Sequence, residues 1–299
     1  MGFFGIYKEA CKLTAANKTI FSQITLTLLL PSAFFLLSEI RFSTYSKIET
    51  PWIDNGWSIG QYLYYIFLFV YIILSTSSIV YTVACFYTSR DITYKKATSA
   101  TGKLWWDLIV TFLWCFLFLA IYTSVTFGLL WFWFSTDRDG IRTLILIICL
   151  SVPAFAGLTY ILVVCNIATV VTILEKDLYG RKALAKSTRL IKGKIWVSCA
   201  VFMLLGITFG GIVFTYCYLS LYGRKEISMV GRVFVAIGCH FLMAIWFHIL
   251  FVVDTVVYFV CKSVHNEEIS TVATHLEVPV IHLVVQIKDV HIQLEQVPA

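Results

Sequence analysis

The chain predicts an all-α, polytopic membrane protein with six transmembrane helices and three amphipathic interfacial helices, and three observations predict it. Of its 299 residues, 59% are hydrophobic and only 13% are charged, about half the charged share of a soluble domain. Six continuous apolar runs each reach the ~20 residues that a helix needs to cross a hydrocarbon core. Three basic stretches, ending at Lys18, Lys103 and Lys194, lead straight into the first, third and fifth of those runs. Backbone polar groups in lipid are satisfied only by helices or closed barrels, and continuous rather than alternating apolarity selects helices.

Taken in order, residues 1–19 form a basic arm with Lys8, Lys12 and Lys18. The arm predicts a cytosolic amphipathic helix lying on the bilayer. Asn17, a good N-cap type, marks the start of the first span at residues 20–40. That run is long and lacks a small-x-small cleavage site, so it predicts a retained signal anchor. The second span covers residues 61–88 and the third 104–134, with the stretch from Tyr94 to Lys103 between them as a second interfacial helix. The fourth span covers 141–174, the fifth 195–222 and the sixth 231–261, leaving a tail at 262–299. Pro31 and Pro153 are the expected kink points. Two sets of small residues, Ala120, Ser124 and Gly128 in the third span and Gly206 and Gly210 in the fifth, allow close helix contact. Packing within one bundle is the expectation for both.

Lysine and arginine counts set the orientation. Sixteen lie in the arm, the second and fourth connections and the tail, against seven on the opposite side. The asymmetry predicts cytosolic termini, in the plasma membrane or secretory pathway. The nine cysteines show no Cys-x-x-Cys pair or ligand spacing, so they predict neither a disulfide framework nor a metal site. Cys261 abuts Lys262 at the predicted boundary, where an unmodified boundary thiol is the expectation and palmitoylation the alternative.

The fourth connection is the most distinctive segment. Ala183, Leu184, Ser187, Leu190 and Ile191 fall on one helical stripe, and Lys182, Lys186, Arg189 and Lys192 stay off it. A basic amphipathic helix beside a span binds anionic headgroups, at about 1 kcal/mol per basic residue near the surface. Lys182, Lys186, Arg189 and Lys192 are therefore the expected contacts to anionic lipid or to a protein partner. Gly180 is the expected turn before this helix and Gly193 its C-cap. Trp105, Trp106 and Trp196 fall at the expected water–lipid boundary.

Ionisable groups inside spans are costly and draw functional attention. His240 and His248 in the last span are eight residues apart, about 80° around a helix. With Asn166 of the fourth span they define the alternative reading, a polar cavity for a transported solute or lipid. Asp254, nearer the predicted boundary, is expected to be hydrated. Asn166, Thr169 and Thr172 line one face of the fourth span, where hydrogen bonds between helices are the expected role. No Gly-rich phosphate loop, His-Glu-x-x-His or nucleophile elbow occurs, so no motif points to an enzyme, a cofactor or a metal. Nucleic acid is not an expected partner.

Two resemblances accompany these residues. Phe21-Ser22-Gln23-Ile24-Thr25-Leu26-Thr27 with Leu30-Pro31 resembles a family of largely uncharacterised plant multi-pass proteins. So do Tyr81-Thr82-Val83-Ala84-Cys85, Val110-Thr111-Phe112-Leu113-Trp114 and Phe259-Val260-Cys261-Lys262-Ser263. A more distant likeness, through Glu175, Ala183-Leu184, Ser187, Leu190 and Lys192-Gly193, is similar to the membrane domain attached to some bacterial glycerophosphodiester phosphodiesterases. The likeness covers the membrane domain alone, so the resemblance implies architecture and no activity. The expectation is a non-enzymatic membrane-organising or partner-binding protein, with a transporter or permease as the alternative.

Overall fold

The computed structural model describes residues 2–38, 59–87, 94–136, 140–222 and 228–265. Every regular element among them is helical. Six helices are long and apolar enough to cross a membrane: Lys18–Ser38, Tyr64–Tyr87, Leu104–Phe132, Cys149–Leu174, Ile195–Leu219 and Val230–Val264. They match the six apolar runs of the sequence, and the chain is an integral, multi-pass membrane protein. The connections carrying Arg41, Lys47, Arg138, Arg224 and Lys225, and the tail after 265, lie outside the described residues.

Helix α1, Phe3–Ala16, buries Ile6, Ala10 and Leu13 at i, i+4 and i+7, the spacing of a single face. Phe4, Lys8 and Lys12 are on its open side. The buried face packs on the last two spans, where the Tyr7 hydroxyl donates to the Val201 carbonyl at 3.0 Å. A turn at Asn17 then interrupts the helix, and the Asn17 side chain makes no capping bond. Its predicted N-cap role is not the one it plays.

Helix α2, Lys18–Ser38, holds a π turn over Thr25–Leu29. Pro31 explains it. Proline has no N–H to donate to Thr27 and its ring would collide there. The ladder widens one step earlier, and the Leu30 N–H donates to the Thr25 carbonyl, five residues back. Helix α3 is Ile59–Tyr87. Its run Ser75, Thr76, Ser77 and Ser78 is buried, as is Thr82. Most of these hydroxyls are satisfied within the helix, for example Ser75 on the Tyr71 carbonyl and Thr82 on that of Ser78. Back-bonding of this kind lets hydroxyls occupy an apolar interior.

Helix α4, Tyr94–Thr136, has 43 residues and is about 65 Å long at 1.5 Å per residue. The second basic stretch is its first turns, continuous with the span, and not a separate interfacial helix. Tyr94–Lys103 contains no proline, and Gly102 alone does not stop a helix whose neighbours support it. Helix α5, Gly140–Leu174, tolerates Pro153 within its length. Helix α6 is Arg181–Ile191, α7 is Ile195–Thr215 with a π extension over Tyr216–Tyr222, and α8 is Met229–Val264. Up to Ile249, α8 alternates buried and exposed side chains, whereas residues 251–258 are all buried. The last third of α8 is thus the axis around which the basic end of the bundle is assembled.

The small-residue sets do not pack inside this bundle. A Cβ added at Gly128, Gly206 or Gly210 would meet nothing within 4 Å. Ser124 and Gly128 line an open groove with Thr123, Phe127 and Trp131 on the outer side of α4. The expectation of intramolecular contact fails because α4 and α7 turn these faces away from their neighbours.

Cys261 also departs from expectation. It is 1% exposed and packs against Ser198, whereas Cys11 on α1 is exposed. A small maleimide added to the folded protein in mild detergent should therefore modify Cys11 within minutes and spare Cys261 until the protein is denatured. Peptide mapping by mass spectrometry reads both sites. Rapid labelling of Cys261 would contradict the packing of α8 against α7.

Candidate functional site

The basic end of the bundle is organised around one carboxylate. Glu175 follows the last turn of α5 and is 7% exposed. Its Oε1 accepts a hydrogen bond from the Tyr258 hydroxyl at 2.6 Å and another from the Lys262 ammonium at 3.1 Å. Its Oε2 accepts from the Lys186 ammonium at 2.5 Å. Lys262 is fully buried and also donates to the Tyr258 hydroxyl oxygen at 3.3 Å. Three segments, the end of α5, α6 and the end of α8, are therefore tied through two oxygen atoms.

Burial alone would raise the Glu175 carboxyl. Hydrogen bonds from Lys186 and Tyr258, with the positive charges of Lys262 and Lys186, outweigh that and hold it below the ordinary carboxylate range. A depressed acid stabilises the fold fully above its unfolded value, and the contribution is lost as pH falls through the folded value.

A second set of contacts fixes how the chain enters α6. Asp177 and Gly180 have φ of 59° and 56°, the region that favours glycine. The Gly180 N–H donates to the Thr111 hydroxyl of α4 at 2.9 Å, and that oxygen lies 3.0 Å from the Thr172 hydroxyl of α5. A Cβ at Gly180 would come to 3.1 Å from Trp114 and 3.2 Å from Val110. The turn predicted at Gly180 is present, and close approach to α4 is a second reason for glycine there. Arg181 then lies over the Trp114 ring, 5.6 Å from its centroid. At the other end of α6, Gly193 has no left-handed backbone. It serves close approach instead of a C-cap, since a Cβ there would meet Val264 at 3.1 Å and His265 at 3.3 Å.

Between these anchors α6 buries Ala183, Leu184, Ser187, Leu190 and Ile191, the stripe expected from the sequence. Four basic residues were expected on the open side, and three of them are there. Lys182, Arg189 and Lys192 are exposed, joined by Arg181, while Lys186 is half-buried and drawn onto Glu175. Trp106 and Trp196 are 71% and 88% exposed on the two helices that flank this end.

The three residues that would line a cavity in the alternative reading are not brought together. His248 is buried with its Nε2 3.1 Å from the Thr14 hydroxyl and its Nδ1 3.4 Å from that of Thr25, against the Phe21 ring. The Thr25 hydroxyl spends its proton on the Phe21 carbonyl at 2.8 Å. It must therefore accept from Nδ1–H, which leaves Nε2 to accept from Thr14. His240 lies against Phe34 and Tyr216. Both histidines thus face the first span, with the fifth also beside His240. Asn166 of α5 is half-buried, and no described hydrogen bond or ring contact joins it to either histidine. Thr172 does hydrogen-bond between helices, as expected. No group of three or more His, Cys, Asp or Glu positioned to hold a metal occurs among the described residues.

With this geometry in place, comparison with known proteins gives one family. A family profile for a domain of unknown function, DUF8558, matches residues 1–51 and 46–297. The chain belongs to the DUF8558 family. No curated protein and no solved structure matches it. In this DUF8558 protein the residue that sequence reasoning undervalued is Glu175. Two signals marked it, its place in the distant likeness and its position, since an acidic residue stands directly after an apolar span and before a strongly basic connection.

Replacing Glu175 with Gln leaves Lys262 buried without its carboxylate, a change that costs about 3–5 kcal/mol. Thermal unfolding in detergent should show a large fall in Tm for Glu175→Gln, and partial recovery in Glu175→Gln/Lys262→Met. The wild type should also lose stability as pH falls below about 4, a component missing from Glu175→Gln. Equal Tm values for wild type and Glu175→Gln would contradict the hub.

Proposed function

We propose that this protein is a non-enzymatic membrane protein that captures anionic lipid headgroups on the open face of α6. One observation carries the reading. The open side of α6 presents Arg181, Lys182, Arg189 and Lys192, spread over about 100° of the helix, while the helix is tied to the bundle by Lys186 on Glu175 and by the Gly180 N–H on Thr111. A fixed row of cations loses less conformational entropy on binding than the same cations on a mobile segment. Exposed Trp106 and Trp196 beside it suit the headgroup level, where an amphipathic ring is stable.

The charge asymmetry of the sequence supports cytosolic termini. In that orientation α6 faces the anionic leaflet, in the plasma membrane or secretory pathway. Polybasic segments there gain about 1 kcal/mol per residue near the surface. The same face also suits an acidic protein partner assembled at the membrane. Lys186 has a different role in this account, because its ammonium is spent on Glu175.

Lipids retained by the purified protein, identified by native mass spectrometry, test this. Neutralising Lys182, Arg189 and Lys192 to Gln should lower retention of anionic lipid on the order of a hundredfold, from about 3 kcal/mol lost. Lys186→Gln should keep retention and lower Tm instead. Unchanged retention in the triple variant would remove lipid capture from α6.

A further inference from the structure

The interior of the basic end holds an acid that the Glu175 hub does not use. Asp254 of α8 is 3% exposed, and its Oδ1 is buried with no hydrogen-bond partner. Sequence alone suggested hydration for this residue. The structure instead closes it within the stretch 251–258, where every residue is buried. Asp254, Tyr258 and Lys262 recur at i, i+4 and i+8, so they share one face of α8. Asp254 is thereby one turn inward from a phenol that already donates to Glu175.

The elements packed around this stretch leave it without a salt-bridge partner. α1 brings Tyr7, bonded to the Val201 carbonyl, and Glu9, whose charge acts on Tyr87 of α3. The turn after α5 brings Glu175, α6 brings Lys186, and the turn before α7 brings Lys194, whose charge acts on Cys261. On α8 itself, Tyr258 and Lys262 are bonded to Glu175, and His248 is turned to Thr14 and Thr25. No described hydrogen bond or ion pair reaches Asp254. A bare carboxylate with an orphaned oxygen in such a place is prohibitively costly, so the group must hold a counter-charge.

We propose that Asp254 is a proton-binding site inside the bundle, separate from headgroup capture on α6. The carboxylate takes one proton from water at the basic end and becomes a neutral carboxylic acid, and releasing that proton restores the charge. A proton fits better than a metal ion. The described residues gather no cluster of metal-ligating side chains, whereas a proton needs no coordination shell. Proton uptake and release at Asp254 change the charge beside Tyr258, and hence beside the hub that fixes α6.

Infrared spectroscopy of the full-length protein in lipid nanodiscs tests this, with its aspartates labelled with carbon-13 at the side-chain carboxyl. A protonated-carboxyl carbonyl band that shifts with the label should be present at neutral pH. It should vanish in alkaline solution and be absent from Asp254→Asn. The wild-type measurement decides the question even if that variant fails to fold. A labelled aspartate pool that is wholly ionised at neutral pH would overturn the proposal. A site that exchanges its band with sodium concentration rather than pH would overturn it too, in favour of a metal cation.

Discussion

The constraint on which the rest depends is the burial of the Glu175 carboxylate at the meeting point of three segments. Placed directly after a transmembrane helix and shut away from water, it is tolerable only because two ammonium groups and a phenol reach it. Removing a charge pair from water costs as much as the pair returns, so such a hub adds little net stability over a well-packed apolar contact. It does, however, choose one arrangement. α6 can meet the bundle in many orientations that bury its apolar stripe, but few of them place Lys186 on an oxygen that Lys262 and Tyr258 also contact. The hub sets the rotation of α6, and that rotation decides which cations are left outside.

The architecture around the hub follows from helix length. α8 has 36 residues and α4 has 43, about 54 Å and 65 Å, against a hydrocarbon core of about 30 Å. Packing of α1 on the last two spans covers part of what would otherwise be open helix surface. The buried hydroxyls of α3, the Thr111–Thr172 contact and the Glu175 cluster give the interior of this end a mixed polar character. Such groups are affordable because each is bonded locally, apart from Asp254 and Ser78, whose orphaned oxygens stand out against that background.

Apolar run length made the spans readable from sequence alone, and helical periodicity made the buried stripe of α6 readable residue by residue. What periodicity does not encode is the neighbour. Lys186 lies about 40° from Leu190 on the helical wheel, nearer the stripe than the other basic residues, yet only the position of Glu175 explains why it turns inward. Gly193 reads as a C-cap because glycine is common there, while the structure uses its missing Cβ to admit Val264 and His265. Cys261 reads as a boundary thiol, because sequence cannot show that α7 covers that face. The two histidines share a face as their spacing implied, but that face meets α1, α2 and, at His240, α7, and not Asn166 of the fourth span. In each case the missing information was long-range, and at Gly193 the local reading itself was wrong.

Hydrogen exchange of the α6 backbone in the full-length protein, reconstituted in a bilayer, tests the central claim most directly. If Glu175 and Thr111 hold α6 on the bundle, amides from Leu184 to Ile191 should exchange as slowly as those at the end of α8, because both open only when the hub opens. Fast exchange across α6, with α8 still protected, would mean that the helix lies loosely at the surface and that its cations are not set in a fixed row.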